Sequence, residues 1–299
     1  MLPSSGLLDP KTLARLESLE LIARTVVEGF LRGLHRGAHK GSSAEFAEHR
    51  PYVPGDEIAR IDWRSYAKTD RYFVKEYEDE TNLRATLVLD ASASMAYGSQ
   101  GLTKLRYAQC LAAAIGYFLA RQLDAVGLVV ADSTVRRRLA PRAHTAHTTG
   151  LIGEIERALP LGATALARVL SALAGEARRR GLAVVFSDLF DDPRALLKAL
   201  ASFRHRRWEV VVFQILDPEE KDFPFTSWTV FRDVEAPSYS VRLDARQMRA
   251  LYLKNFREHQ ELLRAGCASL EVGLVPLDTR TPFEEALERF LLSRKRRGG

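Results

Sequence analysis

The chain has 299 residues, of which 46% are hydrophobic and 27% are charged. This composition is ordinary for a soluble globular protein and excludes the disordered and collagen-like classes. Its longest apolar stretches, such as Val210–Phe213, are far shorter than the roughly 20 residues that a membrane helix needs. Met1–Ser5 lacks the basic segment of a signal peptide. We therefore expect a cytoplasmic protein without a transmembrane segment.

Cysteine content and the distribution of charge exclude two further classes. Cys110 and Cys267 are the two cysteines, too few for a disulfide framework or a Cys-based metal site, and we interpret both as small buried side chains. The formal net charge is +6. The basic residues form scattered runs without interleaved aromatic residues, so no nucleic-acid partner is expected.

Residues 1–82 are predicted to form an arm that packs on the rest of the chain. Apolar residues recur at helical spacing from Lys11 to about Leu34, which predicts one long amphipathic helix. The stretch Arg36–Ser43 is rich in Gly, Ser and His and is typical of a loop. Phe46–Glu80 shows little periodicity, so we expect extended segments and turns there.

From Leu83 onward, predicted strands and helices alternate, which is typical of an α/β fold with a mostly parallel, doubly wound sheet and helices on both faces. The predicted strands are Ala85–Asp90, Ala125–Ala131, Thr134–Leu139, Leu182–Ser187, Trp208–Leu216 and Ser269–Pro276. The predicted helices are Leu102–Gln122, Thr148–Leu159, Ala165–Arg180 with Gly181 as C-cap, Pro193–Phe203, Ala245–Arg264 and Pro282–Ser293.

A predicted hairpin interrupts this alternation before the last strand. Its strands are Ser227–Arg232 and Tyr239–Leu243, with the turn around Glu235–Ser238. Together with the helix that follows, it forms an insertion near residues 226–265. We therefore expect one domain of residues 83–299 that carries this insertion, preceded by the arm of residues 1–82.

Oxygen-bearing side chains follow the predicted buried strands. In an open parallel sheet, ligands bind just beyond the carboxyl ends of the strands. Asp90, Ser92 and Ser94 follow the first strand, Thr164 lies just before a helix, and Asp188 follows a later strand. Two carboxylates and three hydroxyls are a hard oxygen set, which suits Mg²⁺ or Mn²⁺ and not zinc. The sequence therefore predicts a divalent cation site at this edge of the sheet.

The predicted site leaves the coordination of its ion incomplete. Only two negative charges would face a doubly charged ion, and at least one position stays open to solvent, so the site can accept a carboxylate from another molecule. Asp191 is an alternative to Asp188 as the distal acid. The alternative to a metal site is that Ser92 and Ser94 only cap the following helix and that Asp188 is an ordinary loop acid.

The spacing of these five residues resembles a known motif. Asp90-x-Ser92-x-Ser94, followed by Thr164 and Asp188, is similar to the metal-ion-dependent adhesion site of von Willebrand factor A domains. The resemblance implies a von Willebrand A-like fold and a Mg²⁺ (or Mn²⁺) ion that is held by these side chains and binds a partner's carboxylate. A glycine often follows the distal Asp in such domains, whereas this chain has Leu189.

A second resemblance lies upstream of the metal motif. The segment Arg50–Trp63 (RPYVPGDEIARIDW) resembles the hallmark of the bacterial DUF58 family, and the likeness extends from about Gly41 to the C-terminus. Members of that family are typically encoded beside MoxR-type AAA+ ATPases. The resemblance implies a non-enzymatic adaptor or partner of a MoxR-type ATPase in the assembly, activation or remodelling of client proteins.

Two other functions fit parts of the sequence. The chain could be a scaffold that binds through its basic N-terminal arm and hairpin, with a vestigial metal site. A Mg²⁺-dependent phosphatase of the haloacid dehalogenase type would use Asp90 as nucleophile, but such enzymes have a second acid where this chain has Ser92, which cannot transfer protons near neutral pH. No Gly-x-x-x-x-Gly-Lys-Ser/Thr motif is present, so ATP hydrolysis is expected only of a partner. No catalytic residue is assigned.

Overall fold

The computed structural model describes residues 9–16, 18–38, 50–51, 73–74, 83–177, 180–235 and 238–295. Two compact units divide the chain, one drawn from residues 1–30 and 83–299 and the other from residues 31–82. In the second unit, β1 (Arg50–Pro51) pairs antiparallel with β2 (Phe73–Val74). Most of the Arg50–Trp63 segment lies outside the described residues. The packing of an arm of residues 1–82 on the domain stays a prediction.

Two helices replace the single N-terminal helix that was expected from Lys11 to about Leu34. They are α1 (Pro10–Leu13) and α2 (Leu19–Ala38). The predicted single helix is therefore wrong, although its apolar stripe is buried at Leu13, Leu19, Ile22, Val26 and Phe30. The helix α2 also continues into the first residues of the expected loop, and the remainder of that loop lies outside the described residues.

The break between α1 and α2 has a tertiary cause. The guanidinium of Arg106 donates to the carbonyl oxygens of Ala14, at 3.3 Å, and Leu16, at 3.4 Å. These two acceptors are therefore occupied by a side chain from elsewhere in the domain and not by the next helical turn. The hydroxyl of Ser18 then accepts from the N–H of Leu21 at 3.3 Å, which satisfies a donor in the first turn of α2.

Six strands form the main sheet, and two more form a separate hairpin. In chain order the strands are β3 (Arg84–Asp90), β4 (Ala125–Ala131), β5 (Val135–Arg142), β6 (Leu182–Ser187), β7 (Glu209–Leu216), β8 (Trp228–Arg232), β9 (Ser240–Asp244) and β10 (Gly273–Asp278). The main sheet has the order β10-β7-β6-β3-β4-β5, and β8 pairs with β9 in a separate two-stranded sheet. All neighbours in the main sheet are parallel except β4 and β5. The expected mostly parallel sheet and the expected hairpin are confirmed.

Helices cover both faces of this sheet. They are α3 (Lys104–Arg121), α4 (Thr145–Glu156), α5 (Leu166–Glu176), α6 (Pro193–His205), α7 (Pro218–Asp222), α8 (Ala245–Ser269) and α9 (Phe283–Lys295). On one face, Val88 and Val185 share a buried cluster with side chains of α5, α6 and α8. On the other, Phe186 stacks on Phe213 at 5.3 Å, and Phe213 lies 6.2 Å from Phe290 of α9. Successive strand residues point to opposite faces, so the central strands are apolar throughout. The expected α/β class is confirmed.

Two helices end four or five residues away from the expected position. The helix α5 ends at Glu176, and Gly181 does not cap it; a Cβ on Gly181 would lie 2.7 Å from the carbonyl oxygen of Arg84, so this glycine permits a close approach of two backbones. The helix α8 continues to Ser269 because Leu263 and Cys267 extend its buried face. The last strand therefore begins at residue 273 and not at residue 269.

Burial and helix hydropathy bear on two further expectations. Cys110 is 0% exposed and Cys267 is 1% exposed, which confirms both as buried side chains. Among the described ranges, no helix combines the length and the apolar character needed to cross a bilayer.

Candidate metal centre

The two acids of the predicted site lie at the carboxyl ends of adjacent strands. Asp90 is the last residue of β3, and Asp188 directly follows β6. The two strands pair in parallel, with Leu89 opposite Phe186. This pairing places both acids at the edge of the sheet where open parallel sheets bind ligands.

Asp90 is held in a fixed position and is almost completely buried. One carboxylate oxygen accepts from the N–H of Ser92 at 2.9 Å, and the other accepts from the hydroxyl of Ser187 at 2.6 Å. Burial, followed by the nearby Asp188 carboxylate, raises the pKa of Asp90 to about 6. Within the described part of the chain, no cation pairs with Asp90. The Asp90 carboxylate is therefore a buried acid that a cation would stabilise.

Ser92 and Ser94 turn their hydroxyls toward each other beside Asp90. Their Oγ atoms lie 3.1 Å apart, and a short 3₁₀ helix covers residues 93–96. The Ser92 side chain makes no capping hydrogen bond, and the helix α3 is capped by the hydroxyl of Thr103, which accepts from the N–H of Arg106 at 3.1 Å. Helix capping therefore does not explain these two serines.

Asp188 forms an ion pair that was not expected from the sequence. The amine of Lys104 lies 2.8 Å from one Asp188 oxygen and 2.5 Å from a carboxylate oxygen of Glu220. The other Asp188 oxygen accepts from the N–H of Phe190 at 3.1 Å, and the Phe190 ring centroid lies 5.1 Å from the Lys104 amine. Burial alone would lower the pKa of Lys104, but the two carboxylates outweigh it and the pKa is raised, so the amine stays charged.

Sequence reasoning missed Lys104 and Glu220. A lysine at the start of a helix is normally solvated. The signal in the sequence that could have indicated a buried Lys104 is its position in a turn of α3 whose other residues include the buried Leu105 and Ala108. Glu220 belongs to α7, which was also missed. Asp217 caps that short helix and forms a capping box with Glu220.

Thr164 lies in a loop that is tied to the Asp90 loop. The N–H of Ala93 donates to the carbonyl oxygen of Gly162, and the N–H of Leu161 donates to that of Ala91, both at 2.9 Å. The hydroxyl of Thr164 itself donates to a carboxylate oxygen of Glu235 at 2.5 Å, and its N–H donates to the same oxygen at 2.9 Å. Glu235 lies in the β8–β9 hairpin and was expected only as a turn residue.

The structure also separates the two candidates for the distal acid. One Asp191 oxygen accepts from the N–H of Ala167 at 3.0 Å, at the start of α5, and the other accepts from the N–H of Asp192 at 2.7 Å. Asp188, in contrast, acts electrostatically on Asp90. Asp188 is thus the acid whose charge acts on Asp90, and its role as a metal ligand stays a prediction.

The donor set fits a hard divalent cation better than a soft one. In the ranges that the structure describes, no three His, Cys, Asp or Glu side chains group to hold a metal. A zinc site of the usual kind is therefore absent from those ranges, and a metal here would depend on the hydroxyls of Ser92, Ser94 and Thr164 as well as on Asp90 and Asp188. Oxygen ligands of this kind suit Mg²⁺ or Mn²⁺. The metal assignment stays a prediction.

Comparison with known proteins gives both family and structural matches. The family model described as "Protein of unknown function DUF58" matches residues 48–262. "Uncharacterized protein Rv1480" of Mycobacterium tuberculosis (strain ATCC 25618 / H37Rv) is 30% identical over 294 residues, which cover 96% of this chain and 91% of that protein. BatB from Bacteroides thetaiotaomicron is similar in structure, with a TM-score of 0.48 and 12% identity over 71% of this chain and 99% of BatB. The SpRpn10 VWA domain gives a TM-score of 0.42 and 15% identity over 69% of this chain and 95% of that domain.

The family match covers more than half of the chain, and the mycobacterial relative aligns over nearly all of it. The residues matched by the family model include the positions of the Asp90 loop, Lys104 and Asp188. The family inferred from the Arg50–Trp63 segment is therefore confirmed by an independent comparison. The chain belongs to the DUF58 family.

Proposed function

We propose that this chain is a non-enzymatic protein-binding module in which a Mg²⁺ (or Mn²⁺) ion, held by Asp90, Ser92, Ser94, Thr164 and Asp188, accepts a carboxylate from a partner protein. When bound, the ion would supply a positive charge and an open coordination position. The side chains of this chain would hold it at the carboxyl edge of the sheet.

One observation carries this proposal. The buried carboxylate of Asp90 is held by Ser92 and Ser187 beside a second acid, and no cation of the described chain pairs with it. A buried carboxylate without a counter-charge is costly, so a site of this kind favours the binding of a cation.

The ion pair of Lys104 limits the charge of the site. One ammonium lies between the carboxylates of Asp188 and Glu220, while Asp90 adds a third negative charge nearby. If the three acids are ionised, they and the Lys104 ammonium together carry a net charge of about −2. A divalent cation would neutralise this charge, and the attraction is strong in the protein interior. Lys104 would thus hold Asp188 in place without filling the position beside the two serine hydroxyls.

The partner that we propose is a MoxR-type AAA+ ATPase together with its client protein. This choice rests on membership of the DUF58 family. A binding module is favoured over a phosphatase because Ser92, where the phosphatase would need its second acid, bonds to Ser94. Hydrolysis of an aryl phosphate in the presence of Mg²⁺ would argue for the phosphatase.

Metal binding can be measured directly with Mn²⁺, whose free form gives an electron paramagnetic resonance signal that is lost on binding. We expect the wild-type protein to remove about one equivalent of free Mn²⁺, and Asp90→Asn and Ser94→Ala to weaken this binding at least tenfold. Asp244→Asn is the matched control, because Asp244 caps α8 through the N–H of Arg246. Equal binding by all four proteins would refute the metal site.

Partner binding is tested by a pull-down from native lysate in Mg²⁺ or EDTA, with bound proteins identified by mass spectrometry. We expect a MoxR-type AAA+ ATPase to be recovered by the wild-type protein in Mg²⁺ only, and not by Asp90→Asn. Recovery that is equal in EDTA, and that is lost on deletion of residues 1–40, would favour the scaffold function instead.

A further inference from the structure

The β8–β9 hairpin brings a glutamate of this chain onto a predicted metal ligand. One oxygen of Glu235 accepts two hydrogen bonds from Thr164, from the hydroxyl at 2.5 Å and from the main-chain N–H at 2.9 Å. The two residues are 71 positions apart in the chain. If Thr164 belongs to the ligand set, a carboxylate from an outside partner would compete with Glu235 for the same threonine.

The tip of the hairpin is shaped to present this glutamate. The N–H of Glu235 donates to a carboxylate oxygen of Asp233 at 2.8 Å, and the N–H of Asp233 donates to the carbonyl oxygen of Tyr239 at 3.0 Å. The first bond closes a turn of the type that Asp favours, and the second extends the β8–β9 ladder by one step. The turn therefore positions the backbone of Glu235, and the contact with Thr164 positions its carboxylate.

Glu235 lacks the basic partner that several other exposed acids of this chain have. Glu176, Glu271 and Glu285 each form an ion pair with an arginine, whereas no cation of the described chain pairs with Glu235. A surface carboxylate gains little from a neutral hydroxyl alone. The place of Glu235 beside Thr164 is explained if a cation held by the predicted ligands attracts its carboxylate.

The hairpin can leave this position without disturbing the main sheet. It forms a separate two-stranded sheet, and such hairpins are only marginally stable by themselves. Its inner face is anchored by Phe231, which stacks on Phe223 at 5.7 Å. Its outer face leaves Trp228 and Val230 exposed by 65% and 53%. The contact between Glu235 and Thr164 ties the tip to the loop that precedes α5.

We propose that Glu235 is an internal occupant of the carboxylate-binding position and that it keeps this position closed until an acidic segment of a partner displaces the hairpin. This inference rests on the proposed function. The partner segment would resemble the hairpin tip. It would form a turn in which a glutamate follows an aspartate by two residues, as Glu235 follows Asp233. A partner would therefore bind only if its affinity for the carboxylate-binding position exceeds that of Glu235.

The probe for this proposal is a fluorescein-labelled peptide with the sequence of residues 231–240 (FRDVEAPSYS), and the measurement is fluorescence anisotropy. We expect Glu235→Gln to bind the peptide in Mg²⁺ at least tenfold more tightly than the wild-type protein does, because its position is vacated. A peptide with glutamine in place of its glutamate should not bind. Glu258→Gln, which removes an exposed acid from α8, is the matched control and should behave like the wild type.

The outcomes separate this inference from the proposed function. Binding to Glu235→Gln that requires Mg²⁺ supports both. Equal binding in Mg²⁺ and EDTA supports the internal occupant but contradicts the metal-dependent site. If Glu235→Gln binds the peptide no more tightly than the wild-type protein does, Glu235 is not an internal occupant. The Mn²⁺ measurement then tests the metal site independently.

Limited proteolysis gives a second measurement that needs no ligand. Trypsin cleaves after Arg232, at the end of β8 next to the tip. We expect Glu235→Gln and Thr164→Val to be cleaved there at least threefold faster than the wild type and Glu258→Gln, with unchanged circular dichroism spectra. Equal cleavage rates in all four proteins would show that the contact does not hold the tip, and would overturn the proposal.

Discussion

The ammonium group of Lys104 is almost completely buried and lies between two carboxylates. Its side chain is 1% exposed, that of Asp188 is 0% exposed and that of Glu220 is 16% exposed. A buried ion pair adds little net stability relative to apolar residues of similar volume, but the removal of one partner leaves an uncompensated charge. Lys104 is therefore a residue on which the fold and the candidate site both depend.

We predict that Lys104→Met lowers the free energy of unfolding by about 3–5 kcal/mol, because Asp188 then lacks a counter-charge in the interior. Urea denaturation measures this loss. The control is Lys254→Met, since Lys254 is 67% exposed and lies 3.9 Å from Glu258, where a surface pair contributes about 0–1 kcal/mol.

The double variant Lys104→Met/Asp188→Asn completes the test. It should recover part of the lost stability, because both members of the pair are then neutral. A loss for Lys104→Met no larger than that for Lys254→Met would contradict the buried ion pair.

At the scale of elements, the edge of the sheet depends on a close approach of two strands. The strand β5 pairs antiparallel with β4, and its register shifts between Val126 and Leu128. A Cβ on the intervening Gly127 would lie 2.7 Å from the carbonyl oxygen of Leu139 and 2.8 Å from the ring of Pro141. The glycine thus lets the two strands approach at the irregular step.

We predict opposite effects for two glycine substitutions. Gly127→Ala should destabilise the protein by about 1–3 kcal/mol, because backbone atoms of β5 must move to admit the methyl group. Gly150→Ala should stabilise it by about 0.5–1 kcal/mol, because nothing lies within 4 Å of the added Cβ in α4 and alanine favours the helix. Thermal or urea unfolding of both variants checks the sign. Equal destabilisation by both would contradict the close approach at Gly127.

At the scale of the whole molecule, a bound cation would couple the site to the stability of the sheet. Asp90 and Asp188 end adjacent central strands, and these strands assemble only in the folded state. A ligand that binds only the folded state stabilises it in proportion to the logarithm of its concentration. The stability of the domain should therefore report on occupancy of the site.

We predict that Mg²⁺ raises the Tm of the wild-type protein and not that of Asp90→Asn. At ten times the dissociation constant, linkage contributes about 1.4 kcal/mol, or about 3–6 °C for a domain of this size. Differential scanning calorimetry in Mg²⁺ and in EDTA, with potassium chloride at matched ionic strength as control, measures the shift. An equal shift in the Asp90→Asn variant would place the bound ion elsewhere.

Features that depend on neighbours in the chain were predictable from the sequence. The bounds of β4 and β6 match their apolar runs, because a strand that is buried on both faces needs an unbroken run of apolar residues. The hairpin and the Asp90-x-Ser92-x-Ser94 loop follow from turn residues and short spacing. The order of the parallel strands then places Asp90 and Asp188 at one edge.

Features that depend on distant residues were decided by the tertiary structure. Lys104 pairs with residues 84 and 116 positions away, and Arg106 ends α1 from 92 positions away. Glu235 reaches Thr164 across 71 positions. The local sequence around Lys104, Arg106 and Glu235 is equally compatible with a charge exposed to solvent. Tertiary packing determines which carboxylate, carbonyl or hydroxyl group each charge contacts. The local pattern thus determined the strands of the main sheet, most of the helices and the acidic loop. The folded chain determined the break between α1 and α2, the buried counter-charge of Asp188 and the contact of Glu235 with Thr164.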